Sequence, residues 1–398
     1  MDKNLKNYKI VFPTFIQKLL KIAFFALLFS GCSVLNFHQK SMIYENQTIE
    51  NYKNGEFVNT NPTEMITESF FKIGYKFMFE NTQLRKPNFE IPTEKINIDS
   101  FSNLGDKNLS ATWLGHSTVL INIDGTLILT DPMFSKWAAP INWFGPKRFF
   151  NPPIEIEELP ILDAVIISHN HYDHLDKESV LRLNGLTKIF IVPIGVGKYL
   201  EDWGISTSKI VEKNWWESYK LNDKIDVITT PAQHFSGRGL FDRNKSLWAS
   251  FVIKSKNHSI YFGGDSGYFQ GYKEIGEKFG PFEITILPIG AYNKMWKSIH
   301  TDSEEAVKAH IDLKGELLLP IHWGTFNLAL HSWIEPVEQL IIAANKAKIE
   351  FVIPKAGKIV DNSSKHIIEK WWIFNDNFVK KVKNDISESW NEAKLESE

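Results

Sequence analysis

One stretch of the chain is dense in side chains that bind cations: Val165-Ile-Ile-Ser-His169-Asn-His171-Tyr-Asp173-His174-Leu-Asp176. Three imidazoles and a carboxylate this close together cannot all enter a core without heavy desolvation cost. They follow an apolar run of β type, so they fall in the loop at a strand's carboxyl end, where they can converge on a metal ion. Imidazole nitrogen with carboxylate oxygen, and no thiolate, suits zinc, iron or manganese. Two metals need more ligands, and three residues of the same kinds each stand directly after another strand-like run. His234 follows Val227-Ile-Thr-Thr-Pro-Ala-Gln, Asp265 follows Ile260-Tyr-Phe-Gly-Gly, and His322 follows Leu317-Leu-Leu-Pro-Ile. A sheet edge presents such residues to a common cleft, and the glycines before Asp265 permit close backbone approach.

Positioning these residues requires strands that end together. The apolar pattern predicts strands at Ala111–Leu114, Thr118–Ile123, Leu127–Thr130, Ala164–Ser168, Ile189–Pro193, Ile225–Thr229, Trp248–Ile253, Ser259–Gly263, Ile284–Pro288, Leu317–Ile321 and Glu350–Ile353. Helical spacing predicts helices over 177–184, 195–203, 271–279, 303–312 and 335–348. The opening third is a meander and the later part alternates strand and helix. Two sheets covered by helices on their outer faces, an α/β (α+β) architecture, account for both.

The chain has 398 residues, 43% hydrophobic and 23% charged, close to the composition of an ordinary globular protein. A formal net charge of -2 provides no field to hold a polyanion, so no nucleic-acid partner is expected. A single Cys excludes an internal disulfide and a thiolate metal cage. Five lysines (Lys3, Lys6, Lys9, Lys18, Lys21) and Asp2 precede a short apolar run, Ile22 to Phe29, followed by Ser30-Gly31-Cys32. That pattern is a secretory signal, too short to span a bilayer. Phe29-Ser-Gly-Cys32 resembles a bacterial lipobox, which implies diacylation of Cys32 and a lipid-anchored protein of the cell envelope, at the outer membrane if the organism has one. Removing residues 1–31 takes the formal charge from -2 to -6, so lipid on Cys32, not charge, would be the anchor. The expected organisation is a signal over 1–31, a tether over 32–61, an N-terminal helical extension over 62–108 with a helix at 62–80, a catalytic domain over 109–375 and a tail over 376–398.

His-x-His-x-Asp-His followed by a distant His, Asp and His resembles the metallo-β-lactamase superfamily. Longer stretches are similar to its N-acylphosphatidylethanolamine-hydrolysing phospholipase D family and bacterial relatives. They include Thr112-Trp-Leu-Gly-His-Ser-Thr118, Leu129-Thr-Asp-Pro132, Gly145-Pro-Lys-Arg148, Gly263-Gly-Asp-Ser-Gly-Tyr268, His300-Thr-Asp-Ser-Glu-Glu-Ala306 and Pro320-Ile-His-Trp-Gly-Thr-Phe326. The resemblance implies a four-layer αββα sandwich with a two-metal site at the strand ends. His169, His171 and His234 would hold one Zn2+ and Asp173, His174 and His322 the other, with Asp265 bridging; Mn2+ or Fe2+ could replace zinc. In β-lactam-hydrolysing members a Cys usually stands where the bridging Asp is found here, so that activity is disfavoured.

The activity so implied is hydrolysis of a phospholipid phosphodiester, releasing phosphatidate and an N-acylethanolamine. Asp173 would orient the attacking hydroxide and take its proton. His300 has two readings, a contact to phosphate or leaving group and a hydrogen bond at a helix entry. His116 is read as supporting the site from behind, and His310 and His331 receive no role. Trp137–Trp143 either lines an apolar entrance or packs as an ordinary loop. A lactonase of the same fold would share every ligand, and a non-catalytic metal-binding lipoprotein is the alternative of a different class. A homodimer is left open.

Overall fold

The computed structural model describes residues 50–61, 68, 72–73, 75–76, 84–96, 98, 109–141, 143–239, 241–361, 363–365 and 367–373. The signal with Cys32, most of the helix expected over 62–80 and the tail from 376 lie outside the described residues. A short hairpin comes first, β1 (Tyr52–Lys53) and β2 (Glu56–Phe57). The meander follows as β3 (Leu109–Gly115), β4 (Thr118–Ile123) and β5 (Thr126–Thr130). Alternation begins with β6 (Leu162–Ile166), α1 (Lys177–Leu183), β7 (Thr187–Pro193), α2 (Gly197–Asp202) and β8 (Ile210–Lys213). The second half holds β9 (Ser218–Lys220), β10 (Asp226–Thr230), β11 (Ser250–Lys254), β12 (Ser259–Phe262), α3 (Gly271–Phe279) and β13 (Phe282–Pro288). It closes with α4 (Ser303–Asp312), β14 (Gly315–Ile321), α5 (Glu335–Ala347) and β15 (Ile359–Asp361).

These strands form two large sheets. One has the order β15-β3-β4-β5-β6-β7-β8 and the other β14-β13-β12-β11-β10-β9. Each is antiparallel on one side and parallel on the other, with the parallel pairs β5/β6/β7/β8 and β12/β13/β14. Side-chain alternation builds the layers. On β4, Val119, Ile121 and Ile123 join one core with Phe251, Ile253 and Phe262 of the facing sheet. Their neighbour Leu120 joins Leu129, Val165, Val180, Leu183 and Leu200 in a second core under α1 and α2. Strands β3, β4 and β5 are buried on both faces, and Ser110, Thr112 and Asn122 interrupt otherwise largely apolar runs. Each fully buried Ile, Leu or Phe contributes about 1.5–3 kcal/mol. The helix–sheet–sheet–helix order is the expected fold.

Capping sets where loops give way to helices. Asp176, the last acid of the metal-binding motif, accepts from Ser179 N–H at the start of α1, so it ends the loop as a cap. Asp302 and Glu305 form a reciprocal capping box on α4. Several stretches differ from expectation, among them the short strands β8, β9 and β15, which the apolar pattern does not predict. The run Glu350–Ile353 makes only isolated bridges, Leu318 with Phe351 and Ile353 with Ile368, with Leu318 N–H on Glu350 O and Val352 N–H on Leu318 O as its contacts to β14. Residues 50–61, expected within a tether, form the β1–β2 hairpin, and Phe57 is wholly buried. Within the expected helical extension, Lys72, Ile73, Tyr75 and Lys76 are helical, but residues 84–96 are turn and coil. They are held by Glu94 N–H on Ala356 O (2.8 Å) and Trp333 N–H on Leu84 O (3.0 Å).

Candidate metal centre

Every candidate ligand sits on one edge of the sandwich, on loops that leave the sheets. Asp131 follows β5, His169 to His174 follow β6, His234 follows β10, Asp265 follows β12 and His322 follows β14. This is the crevice outside the carboxyl ends of strands where α/β sheets place ligands. Close approach is needed at Gly264 (φ +57°), where an added Cβ would lie 2.6 Å from Ser168 Cβ. His116 (φ +54°) and His322 (φ +61°) both adopt left-handed backbone, an uncommon state for non-glycine residues. His322 N–H donates to His116 O (3.0 Å), and His116 N–H to Thr325 Oγ1 (2.7 Å), which holds the two histidines together.

Two clusters result. In the first, His171 Nδ1 lies 2.8 Å from His169 Nε2 and 3.3 Å from His234 Nε2. In the second, Asp173, His174, His322 and His116 converge. Asp265 Oδ2 lies between the clusters, 3.1 Å from His174 Nε2 and His322 Nε2, 3.9 Å from His234 Nε2 and 4.0 Å from His169 Nε2. His174 Nε2, His322 Nε2 and Asp265 Oδ1 are buried without a hydrogen bond. Metal–nitrogen bonds of about 2.0–2.1 Å in a tetrahedral shell place ligand nitrogens about 3.3 Å apart. The His171–His234 separation has that value and the His169–His171 separation is shorter, and the donor set with its orphaned buried atoms fits metal ions.

The outer nitrogens fix which ring atoms face inward. Ser168 Oγ donates to Asp131 Oδ2 (2.6 Å), so His169 Nδ1 is the donor in its 2.9 Å contact with Ser168 Oγ, leaving Nε2 as a lone pair. His174 Nδ1 donates to Asp131 Oδ2 (2.7 Å), and His234 Nδ1 to Ile299 O (2.9 Å). Asp131 therefore orients one ligand of each cluster. Its sequence signal, an acid directly after an apolar strand, is the same as that of Asp265, yet sequence reasoning gave it no role.

Burial above all pushes His171 and His234 down to about 3, with His116 and His300. Burial opposes charge on His174 and His322 as well, but Asp265 leads the carboxylates that raise His174 well above its usual value and His322 to about 9. Asp173 and Asp265 resist the upward push of burial because His174 stands beside them, and both lie well below the usual carboxylate range. His116 Nε2 donates to Asp173 Oδ2 (2.8 Å), supporting that carboxylate from behind. His300 lines the cleft with Nδ1 3.8 Å from Asp265 Oδ2. The entry of α4 is capped by Asp302, so the helix-entry reading of His300 is not what the backbone uses. His310 bonds Thr285 (2.7 Å), and His331 Nε2 accepts from Ala291 N–H (3.0 Å).

The cleft over these ligands has mixed walls. Ala138, Phe235, Trp296, Ile299 and Leu328 are apolar, while Tyr172, Arg238 and Asn327 are polar. Arg238 stacks 3.9 Å over the Tyr172 ring and donates to the carbonyls of Asn170 and Leu175, both at 2.7 Å. Sequence reasoning missed both residues, although Tyr172 stands inside the ligand motif. In the loop Trp137–Trp143, Ala138 lines the cleft, Trp137 bridges to Lys147, and Trp143 is 71% exposed.

Residues 126–323 match the beta-lactamase superfamily domain. An uncharacterized protein of Mycobacterium tuberculosis is 43% identical over 330 residues, covering 81% of this chain and 87% of its own. The N-acyl-phosphatidylethanolamine-hydrolyzing phospholipase D 1 of Caenorhabditis elegans is 38% identical over 262 residues, 63% of this chain and 73% of its own. A metallo hydrolase structure from Ignicoccus hospitalis shares the fold, with a TM-score of 0.50 at 23% identity over 64% of this chain and 98% of that one. The chain belongs to the metallo-β-lactamase superfamily of metal-dependent hydrolases, in the branch of the N-acylphosphatidylethanolamine-hydrolysing phospholipases D.

Proposed function

We propose that this protein is a zinc-dependent phospholipase of D type, cleaving N-acylphosphatidylethanolamine into phosphatidate and an N-acylethanolamine. The observation that carries the reading is Asp265, one carboxylate oxygen set between an all-imidazole cluster and a carboxylate-bearing cluster. Two divalent cations, zinc with manganese or iron as alternatives, would be held by these residues and supply a hydroxide nucleophile and Lewis-acid contacts to phosphate. Asp173, fixed by His116, takes the proton of the attacking water. His300 lines the cleft beside Asp265 and would contact a phosphate oxygen or the leaving alkoxide. Water adds across the phosphorus–oxygen bond: hydroxyl goes to phosphate and the proton ends on the ethanolamide oxygen. Phe235, Trp296, Ile299 and Leu328 offer an apolar wall to acyl chains.

The membrane is the proposed partner, with diacylated Cys32 anchoring the chain in a bacterial envelope. Trp143 and Phe241, 71% and 83% exposed, stand on the loops that supply Ala138 and Arg238 to the cleft and suit contact with an interfacial lipid layer. The test is release of N-acylethanolamine from zinc-loaded reactions on vesicles containing N-acylphosphatidylethanolamine. An acyl-homoserine lactone and bis(p-nitrophenyl) phosphate run beside it, with Asp265→Asn as control. Lipid turnover lost in Asp265→Asn supports the reading. Lactone turnover with inert lipid makes the protein a lactonase, and no turnover of any substrate leaves a metal-binding lipoprotein.

A further inference from the structure

His234 comes four residues after β10, beyond Pro231, where the strand ladder no longer provides backbone partners. The hairpin arm supplies them. His234 N–H donates to Asn59 Oδ1 (3.1 Å), and Asn59 Nδ2 donates to His234 O (3.0 Å). Asn59 Oδ1 also accepts from Trp248 Nε1 (3.0 Å). The arm is fastened along its length. Asn51 Nδ2 donates to Asn214 Oδ1 (3.1 Å), Lys245 Nζ to Gly55 O (2.9 Å), and Phe57 N–H to Asn244 O (2.8 Å). Asn244 in turn donates its N–H to Ser236 O (2.9 Å), two residues past His234.

We propose that Asn59 is a positioning residue for the metal ligand His234, which makes the N-terminal arm, outside the 126–323 domain, part of the metal centre without touching the metal. A carboxamide presents a donor and an acceptor in fixed geometry, so it closes a two-point bridge on one peptide as a neighbouring strand would. His234 is then held twice, its backbone by Asn59 and its ring by Ile299 O. With both in place, Nε2 stays 3.3 Å from His171 Nδ1. Aspartate at position 59 could accept but not donate, and alanine could do neither. Either change leaves a buried backbone group unpaired and frees the loop that carries the ligand.

The proposal rests on the metal reading of the cluster, not on the lipid substrate. Full-length wild type, Asn59→Ala, Asn59→Asp and Asn51→Ala are loaded with zinc or cobalt and challenged with graded chelator. Metal per chain is measured by mass spectrometry and the cobalt absorption spectrum recorded. In both Asn59 variants one ion is expected to be lost about 10–100-fold more readily. The second ion should be retained, the imidazole-rich cobalt signal should fade, and Asn51→Ala should match wild type. Asn59→Asp is nearly isosteric and keeps the acceptor for His234 N–H and Trp248, so it carries the test if Asn59→Ala does not fold. Equal retention in all four proteins overturns the proposal. So does loss of both ions together, or a loss matched by Asn51→Ala, since either makes Asn59 part of the arm's packing only. A wild type that binds no metal overturns the metal reading itself.

Discussion

The two ligand clusters are built from different chemistry although they share Asp265. In the first, His169, His171 and His234 are all imidazoles, and the outer nitrogens of His169 and His234 meet a hydroxyl and a carbonyl. Asp265, Asp173 beside His171 and the Ile299 carbonyl only partly offset desolvation there, so burial holds these rings below the usual imidazole range and ready to bind metal. In the second, His174 stands against Asp265, Asp173 and Asp131, and His322 against Asp265 and Asp173, and these carboxylates raise both rings above the usual imidazole range. The first cluster is preorganised for a cation, whereas the second must release protons to accept one. One edge of the fold thus offers two sites that differ in acid response and in what supports them.

The shared carboxylate is the place to break both at once. Asp265→Asn is expected to lower kcat by at least about 10³-fold, since a neutral amide cannot link two cations; steady-state kinetics on zinc-loaded protein measure it. Asp131 reaches one ligand of each cluster, so Asp131→Asn should weaken retention of both ions by about 10–100-fold. Chelator competition reads this, and loss of one ion only would mean that Asp131 serves a single cluster.

Acid separates the clusters. Loading of the second should tighten as pH rises towards 9, because protons on His322 and His174 are displaced. Loading of the first should stay nearly flat over the same range. Proton release on titration with zinc at pH 7 and pH 9 checks this. The metal-free fold follows the same shifts with opposite signs. His116, His171, His234 and His300 lie near 3 when folded against 6.5 when unfolded. Their burial therefore costs stability as pH falls from 6.5 towards 3. His322, raised to about 9, contributes stability that is complete below 6.5 and lost as pH rises through 9. Denaturant midpoints across pH, with metal removed, should show both slopes. The smallest effect is expected at the rim: Trp143→Ser with Phe241→Ser should weaken binding to vesicles several-fold while turnover of a soluble phosphodiester stays unchanged.

Much of this was legible in the sequence because ligands directly follow apolar runs. His169 to His174 form one loop, and His234, Asp265 and His322 announce themselves by position. The layered fold was legible from the same runs, which are buried on both faces. What escaped has weak local signal. The strands β8, β9 and β15 are short, half-buried and carry Glu212, Lys213, Lys220 and Asp361, so they resemble loops. The arm is polar and Asn-rich, with Phe57 as its buried anchor, and its order comes from side-chain bonds to distant residues. Asp131 and Tyr172 have partners far away in sequence, so their roles follow from where the chain brings those partners.

Anomalous diffraction from crystals of the zinc-loaded protein tests the two-cluster centre most directly. Two zinc peaks about 3.5–4 Å apart, on either side of Asp265, are expected, one among His169, His171 and His234 and the other beside Asp173, His174 and His322. A single peak, or two that do not share Asp265, would contradict it.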